Sequence, residues 1–226
     1  MFTGNKNRKE KVKYGIVGCG EIAHIHVKAL RKIKQAQIEA VADINYKRAM
    51  NFAKKYGIKH YYRTLDDMLV NENIDIVLVL TNPQTHAELS IKAMNAGKHV
   101  LVEKPMSVTL YDAEKMVSVA KKNNVKLCVS HAFLFTPSMR NALNLLSSGK
   151  MGEVLNVYTY MSLWPLIEQM KRNSLPKWMY ELPGGIYGEL IPHALYTTLA
   201  VLNENVNNVY VHTLESKENH DICPFV

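Results

Sequence analysis

No stretch of this sequence sustains the roughly 18 consecutive apolar residues of a membrane-spanning helix, so no membrane partner is expected. Cysteine is scarce. Cys19, Cys128 and Cys223 are too few for a disulfide framework and lack the close spacing of a metal-ligand motif, so no metal is expected. The basic, polar stretch 1–12 has no apolar segment behind it, as a secretory signal would, and the expectation is a cytoplasmic protein with reduced thiols. Internal repeats and low-complexity segments are also missing. Although the net charge is +8, five of the 28 basic residues fall in the first 13 positions. The others scatter along amphipathic segments such as 28–34 and 47–55 with no interleaved aromatics. They read as solvated helix faces, which argues against a nucleic-acid partner and leaves an anionic small molecule as the natural counterpart.

What is present fits a globular chain, 47% hydrophobic and 21% charged. Over residues 13–150, short apolar runs alternate with longer amphipathic ones. Strands are predicted at 12–17, 37–43, 74–81, 99–103 and 126–130. YGIVG, IDIVLVL and HVLVE are nearly continuous hydrophobic runs, as strands buried on both faces should be. Helices are predicted at 21–34 and at 109–124, the latter with Thr109 as its cap and Asp112 three residues on. This alternation predicts an α/β doubly wound parallel sheet. A turn near 148–152 marks the boundary to a second unit, 151–226. It holds two predicted strands, 152–164 and 206–214, and one helix, 185–202. Two strands leave an edge and an apolar face unpaired, so this unit is expected to pair with another chain or to be part of a larger α+β domain.

The first strand runs into Gly18-Cys19-Gly20-Glu21-Ile22-Ala23. A glycine at 18 permits a tight turn, one at 20 lets a pyrophosphate approach the backbone, and Ala23 lets helix and strand pack closely. The following helix N-terminus offers free N–H groups to phosphate. Asp43, 25 residues after Gly18, ends the second strand where an acid binds the adenosine ribose hydroxyls. A carboxylate there repels a 2′-phosphate, which favours NAD, while Lys47 and Arg48 leave NADP open.

These residues, with TNPQTHAELSIKAMNAGKHVLVEKPMS (81–107), SSGKMGEV (147–154) and GGIYGELIPHALY (184–196), resemble the glucose-fructose oxidoreductase / inositol dehydrogenase / rhizopine-catabolism oxidoreductase family. The resemblance implies an NAD(P)-dependent oxidoreductase that moves a hydride to or from a hydroxyl or carbonyl of a sugar, polyol or related small substrate. It also implies a C-terminal open, mostly antiparallel sheet whose outer face forms homo-oligomers. Under it, Thr81, Asn82 and His86 line the dinucleotide beside Gly18, Cys19, Gly20, Glu21, Ile22, Asp43, Glu103 and Lys104. It places a cis peptide at Lys104–Pro105 and matches His193 to the catalytic histidine. Glu189 stands where the family usually has aspartate.

Chemistry points to the same residues. Lys104 follows a strand end, where ligands of open α/β sheets bind, and can stabilise a developing alkoxide. The unperturbed pKa of a histidine suits His193 to taking a hydroxyl proton near neutral pH. Glu189, four residues earlier, can orient the imidazole or bind substrate if one helix carries both. Pro192 leaves two readings: a helix begun at Pro192 excludes Glu189, and one begun near Gly185 is kinked. In 131–135, HAFLF, only His131 offers a hydrogen bond to substrate, where the family often has a polar stretch. The segment 164–183 adds Trp164, Lys171, Arg172, Trp178 and Tyr180, which could clamp a sugar or an acid. Two alternatives stay open: a glycosidase that uses NAD transiently, and a dinucleotide-binding sensor without catalysis. Joint retention of Lys104 and His193 argues against the sensor.

Overall fold

Six short strands pair side by side in the computed structural model, which describes residues 11–161, 169, 172, 174–213 and 224–225. In chain order they are β1 (Val12–Val17), β2 (Ala36–Ala42), β3 (His60–Tyr62), β4 (Ile76–Val79), β5 (His99–Glu103) and β6 (Leu127–Ser130). Helices α1 (Glu21–Leu30), α2 (Tyr46–Tyr56), α3 (Leu65–Asn71), α4 (Pro83–Asn95) and α5 (Leu110–Lys122) fill the connections. The sheet order is β3-β2-β1-β4-β5-β6, and every neighbouring pair is parallel. This is the doubly wound arrangement expected. The order reverses between β1 and β4, which opens a crevice beyond the carboxyl ends of those strands.

Each face of the sheet carries its own core. Ile16, Val41 and Leu78 pack on one side with Ala23, Val27 and Phe52. Val17, Val77 and Val79 pack on the other with Met68, Met94 and Met116. Alternate residues of one strand thus serve opposite layers, which is why the strands read as unbroken apolar runs.

Several boundaries differ from the sequence reading. Helix 21–34 ends at Leu30, because Arg31 N–H and Lys32 N–H close on Val27 O and Ala29 O and the chain turns back into β2. The short edge strand β3 was not predicted. It is only half-buried and is tied down by polar contacts, with His60 Nδ1 placed 2.7 Å from Glu72 Oε1. Thr109 caps α5 as expected, accepting from Asp112 N–H at 3.0 Å.

Past residue 130 come a 3₁₀ turn (Ala132–Phe135), α6 (Pro137–Ser147), α7 (Lys177–Tyr180) and α8 (Ile186–Leu202), then β7 (His212–Thr213) and β8 (Pro224–Phe225). The expected strand at 152–164 is corrected: its described part, 152–161, forms none. Of the strand expected at 206–214, only β7 is present, paired antiparallel with β8. Without neighbouring strands, Leu155, Tyr158, Tyr160 and Tyr210 stay 77–92% exposed. The C-terminal antiparallel sheet is represented among the described residues by β7–β8 alone. No helix among them is long and apolar enough to cross a membrane.

Gly18 is where the sheet dictates a residue type. Its φ is +93°, and a Cβ there would lie 2.5 Å from Leu80 O. Gly20 has φ −80° and ψ −168°, with nothing within 4 Å of an added Cβ. Gly18→Ala should therefore lose about 3 kcal/mol of stability through strain and overlap with β4's exit, and Gly20→Ala no more than about 1 kcal/mol. Denaturant titration of the two variants checks this, and equal stabilities would contradict it.

Candidate active site

At the carboxyl end of β1, Gly18 N–H donates to Ala42 O at 2.8 Å and turns the chain into α1. Gly20 is the residue before the helix, and Glu21 and Ile22 are exposed in its first turn. The loop is held from β2. Asp43 Oδ2 accepts from Cys19 N–H at 2.9 Å, and its Oδ1 accepts from Asn45 N–H at 2.8 Å. Asp43 is 6% exposed, with Arg48 Nη1 3.8 Å away. Each carboxylate oxygen keeps a lone pair for a ribose hydroxyl. Burial pushes the Cys19 thiol up to about 12, with the Asp43 charge adding to it, so this cysteine stays protonated. A cleft of about 450 Å³ opens beside the loop, lined by Cys19, His24, Asn45, Lys47, Arg48 and Phe52 among others. An open space over Gly20, a helix N-terminus and basic residues around the cleft fit a dinucleotide.

The ends of β4 and β5 form the second wall. Asn82 is exposed at the start of α4, and Thr81 Oγ1 accepts from Thr85 Oγ1 at 2.7 Å. His86 is displaced from its expected place on the cofactor surface. Its ring is fully buried, with Nδ1 2.8 Å from Pro105 O and Nε2 3.0 Å from Thr81 O. It joins the exit of β4 to the turn after β5, and burial lowers its pKa. The Lys104–Pro105 peptide is cis. Glu103 Oε1 lies 2.7 Å from His26 Nε2, so α1 is tied to the lysine turn. Burial pushes the Glu103 pKa upward, but the hydrogen bonds from His26 and Ser130 outweigh it and hold the carboxyl below its ordinary range.

Lys104 Nζ donates to Glu189 O at 2.9 Å and also to Glu189 Oε1. Both side chains are largely buried, 10% and 16% exposed. Helix α8 begins at Ile186, so Glu189 and His193 share it, with Pro192 inside. Of the two readings left by Pro192, the helix begun near Gly185 is the one formed. Of the two roles left open for Glu189, orienting the imidazole is not formed: Glu189 is drawn to the lysine charge, and His193 Nδ1 lies 2.7 Å from Tyr196 Oη instead. Burial raises the Glu189 pKa against the pull of Lys104. Its Oε2 is buried with no partner among the described residues, an unmade hydrogen bond at the centre of the site.

His193 is half-buried, and this desolvation, with the Lys104 charge behind it, pushes its pKa down to about 4. The Phe133 ring stacks on the imidazole at a centroid distance of 4.5 Å, and the His131 ring stacks on Tyr196 at 4.2 Å. His131 too has its pKa lowered by burial. Lys104, Glu189, His193 and His131 are thus brought together at the sheet's carboxyl edge. His26 and Tyr196 were missed. Tyr196 closes the quoted stretch 184–196 and His26 lies within α1, but both act on partners that only the fold supplies. Of the segment 164–183, Trp164 and Lys171 lie outside the described residues, and Trp178 O accepts from Gln84 Nε2 at 3.1 Å.

Two outcomes follow. Gly20→Val should keep the fold yet weaken NADH binding about a hundredfold, roughly 3 kcal/mol, because the branched side chain fills the space for the pyrophosphate. A fluorescence titration checks it, and unchanged affinity would reject the assignment. His193 takes up its proton more readily unfolded than folded. Its contribution to stability is therefore present above pH 6.5 and is lost as the pH falls toward about 4. His193→Gln should flatten the stability–pH curve in that window, and an identical curve for the variant would contradict the shift.

The residues 12–131 match the family model described as oxidoreductase family, NAD-binding Rossmann fold. Myo-inositol 2-dehydrogenase of Thermotoga maritima is 26% identical over 201 residues, covering 88% of this chain and 57% of that protein. WlbA dehydrogenase of Chromobacterium violaceum, solved with NADH and UDP-GlcNAcA, is 28% identical with a TM-score of 0.62, covering 68% of this chain and 44% of that one. Scyllo-inositol dehydrogenase of Lactobacillus casei, solved with NAD(H) and scyllo-inositol, shares the fold at a TM-score of 0.80 and 24% identity, covering 92% and 61%. The chain spans between about two fifths and three fifths of the length of these relatives. With the glycine turn, the parallel sheet and a model matched over more than half its length, the chain belongs to the Gfo/Idh/MocA oxidoreductase family, NAD-binding Rossmann fold.

Proposed function

We propose that this chain is an NAD-dependent oxidoreductase of the CH–OH group, acting on a sugar, a cyclic polyol or a related small substrate. The observation that carries this reading is the cluster Lys104–Glu189–His193 at the carboxyl edge of β5, on the crevice side of the glycine turn. NAD bound at Gly18–Ile22 supplies the hydride acceptor, or in reduced form the donor. Asp43 fits the adenosine ribose and favours NAD over NADP through charge.

The chain's own residues handle the substrate oxygen. Lys104 is an ammonium with three N–H bonds, two of them engaged by Glu189. The third can meet an alkoxide or carbonyl oxygen and stabilise its charge in a site screened from water. Glu189 holds that ammonium in place, and its unpartnered Oε2 suits a neighbouring hydroxyl of the substrate. His193 Nε2 has no protein partner among the described residues and faces the same oxygen in this reading. His131 borders the substrate side, with its ring packed on Tyr196. Inositol and nucleotide-sugar dehydrogenases among the relatives support a polyhydroxylated substrate. A homo-oligomer formed through the C-terminal unit would cover the exposed tyrosines there.

The test is a panel of inositols, sugars and sugar acids, read by absorbance of NADH. One substrate should give stoichiometric NADH, and Lys104→Ala should lower kcat by about a thousandfold while NADH still binds. Near-native turnover of Lys104→Ala would remove the lysine from the reaction. NAD dependence without net NADH would point to the glycosidase, and dinucleotide binding with no turnover to the sensor.

A further inference from the structure

Helix α8 places Tyr196 one turn beyond His193, and the phenol oxygen sits 2.7 Å from His193 Nδ1. Tyr196 is 7% exposed, so its hydroxyl hydrogen must find a protein acceptor. The Phe133 backbone N–H donates into the same oxygen at 3.3 Å, which uses one of its lone pairs. The tyrosine's own hydrogen then has a single acceptor in reach among the described residues, His193 Nδ1. Hydrogen bonds run in one direction, from Phe133 N–H to Tyr196 Oη and from Tyr196 O–H to His193 Nδ1. Such a chain reinforces itself, since each donor is polarised by the bond it accepts.

We propose that Tyr196 is a positioning residue that fixes the resting His193 with its lone pair on Nδ1 and its hydrogen on Nε2. His193 then presents a hydrogen-bond donor to the substrate oxygen, and Lys104 is the group that carries the proton. The proton placement is read from the hydrogen bonds alone, whereas its consequence for catalysis rests on the oxidoreductase reading above.

Three further observations agree. Phe133 covers one face of the imidazole and His131 stacks on the phenol, so neither ring is free to swing out of this register. The charged and titratable groups that act on His193 are Lys104, Glu103, His131 and the phenol itself; with burial, the first of these keeps the imidazole neutral at pH 7. Lys104 has an N–H not engaged by Glu189. In the reductive direction that N–H bond breaks and an O–H bond forms on the substrate, leaving a neutral amine that regains its proton from water. Throughout, the His193 Nε2–H donates without being transferred. Oxidation runs through the same steps in reverse.

The experiment is nitrogen NMR of the full 226-residue chain with 15N-labelled histidine. The His193 signals are identified by their loss in His193→Gln. At pH 7 the His193 Nδ1 should show the shift of a lone-pair nitrogen and Nε2 that of an N–H. A protonated Nδ1 at pH 7 overturns the proposal outright, and this needs only the unaltered protein. In Tyr196→Phe the Nδ1 signal should move further toward a bare lone pair, and the His193 midpoint should rise, because the neutral ring loses its donor. A midpoint that falls would mean that the phenol oxygen accepts from Nδ1–H, and would overturn it as well. The second arm uses a substrate from the panel. Glutamine keeps a donor but transfers no proton, so His193→Gln should stay within about tenfold of native kcat while His193→Ala falls by about a hundredfold or more. Equal losses in the two variants make His193 the proton carrier and refute the division of roles. A panel without any substrate counts against the oxidoreductase reading, while the NMR shifts still decide the proton placement.

Discussion

The pair between Lys104 and Glu189 is the constraint on which the site depends. Among the described residues it is the ion pair that ties α8 to the exit of β5, across 85 residues of chain. Taking two charges this far out of water is costly, and their attraction offsets it only with good geometry and further hydrogen bonds. Here Lys104 bonds both a carboxylate oxygen and the backbone carbonyl of Glu189. Removing either partner would leave the other buried and uncompensated, at a cost of roughly 3–5 kcal/mol. Such a pair adds little net stability compared with an apolar contact. It specifies one seating of α8, and with it the position of His193.

Around that pair the fold adds braces that act through the backbone. His86 fastens the exit of β4 to the turn after β5, while Glu103 fastens that turn to α1 through His26. Both pull on the peptide that carries Lys104. The dinucleotide loop and the lysine are thereby parts of one framework, and rigid elements hold a reacting group more closely than loops do. Asp43 does the corresponding work for the glycine turn, committing one lone pair of each oxygen to backbone N–H groups.

The Rossmann half was legible because its signals are local. Gly18 turns the chain at positive φ, and strands such as 76–79 are apolar on both sides. Each of these can be read without knowing what packs against it. His60–Tyr62 was missed because a three-residue edge strand has too little periodicity to show. The C-terminal unit was misread for the opposite reason: residues 152–161 alternate as a strand does, but alternation becomes a strand only where a neighbour offers hydrogen bonds. In the site, the four-residue spacing of Glu189 and His193 is compatible with contact, yet it cannot tell which neighbour wins. The buried lysine charge outweighs a neutral imidazole for Glu189, and Tyr196, three residues on, takes the imidazole.

The central claim is that a charge pair seats α8 on the sheet edge and so assembles the site. Hydrogen exchange of the native chain and of Glu189→Gln, both loaded with NADH, tests it most directly. The amides of 186–202 should lose protection in the variant while those of β1, β4 and β5 keep theirs. Protection of 186–202 that is unchanged in Glu189→Gln would contradict it.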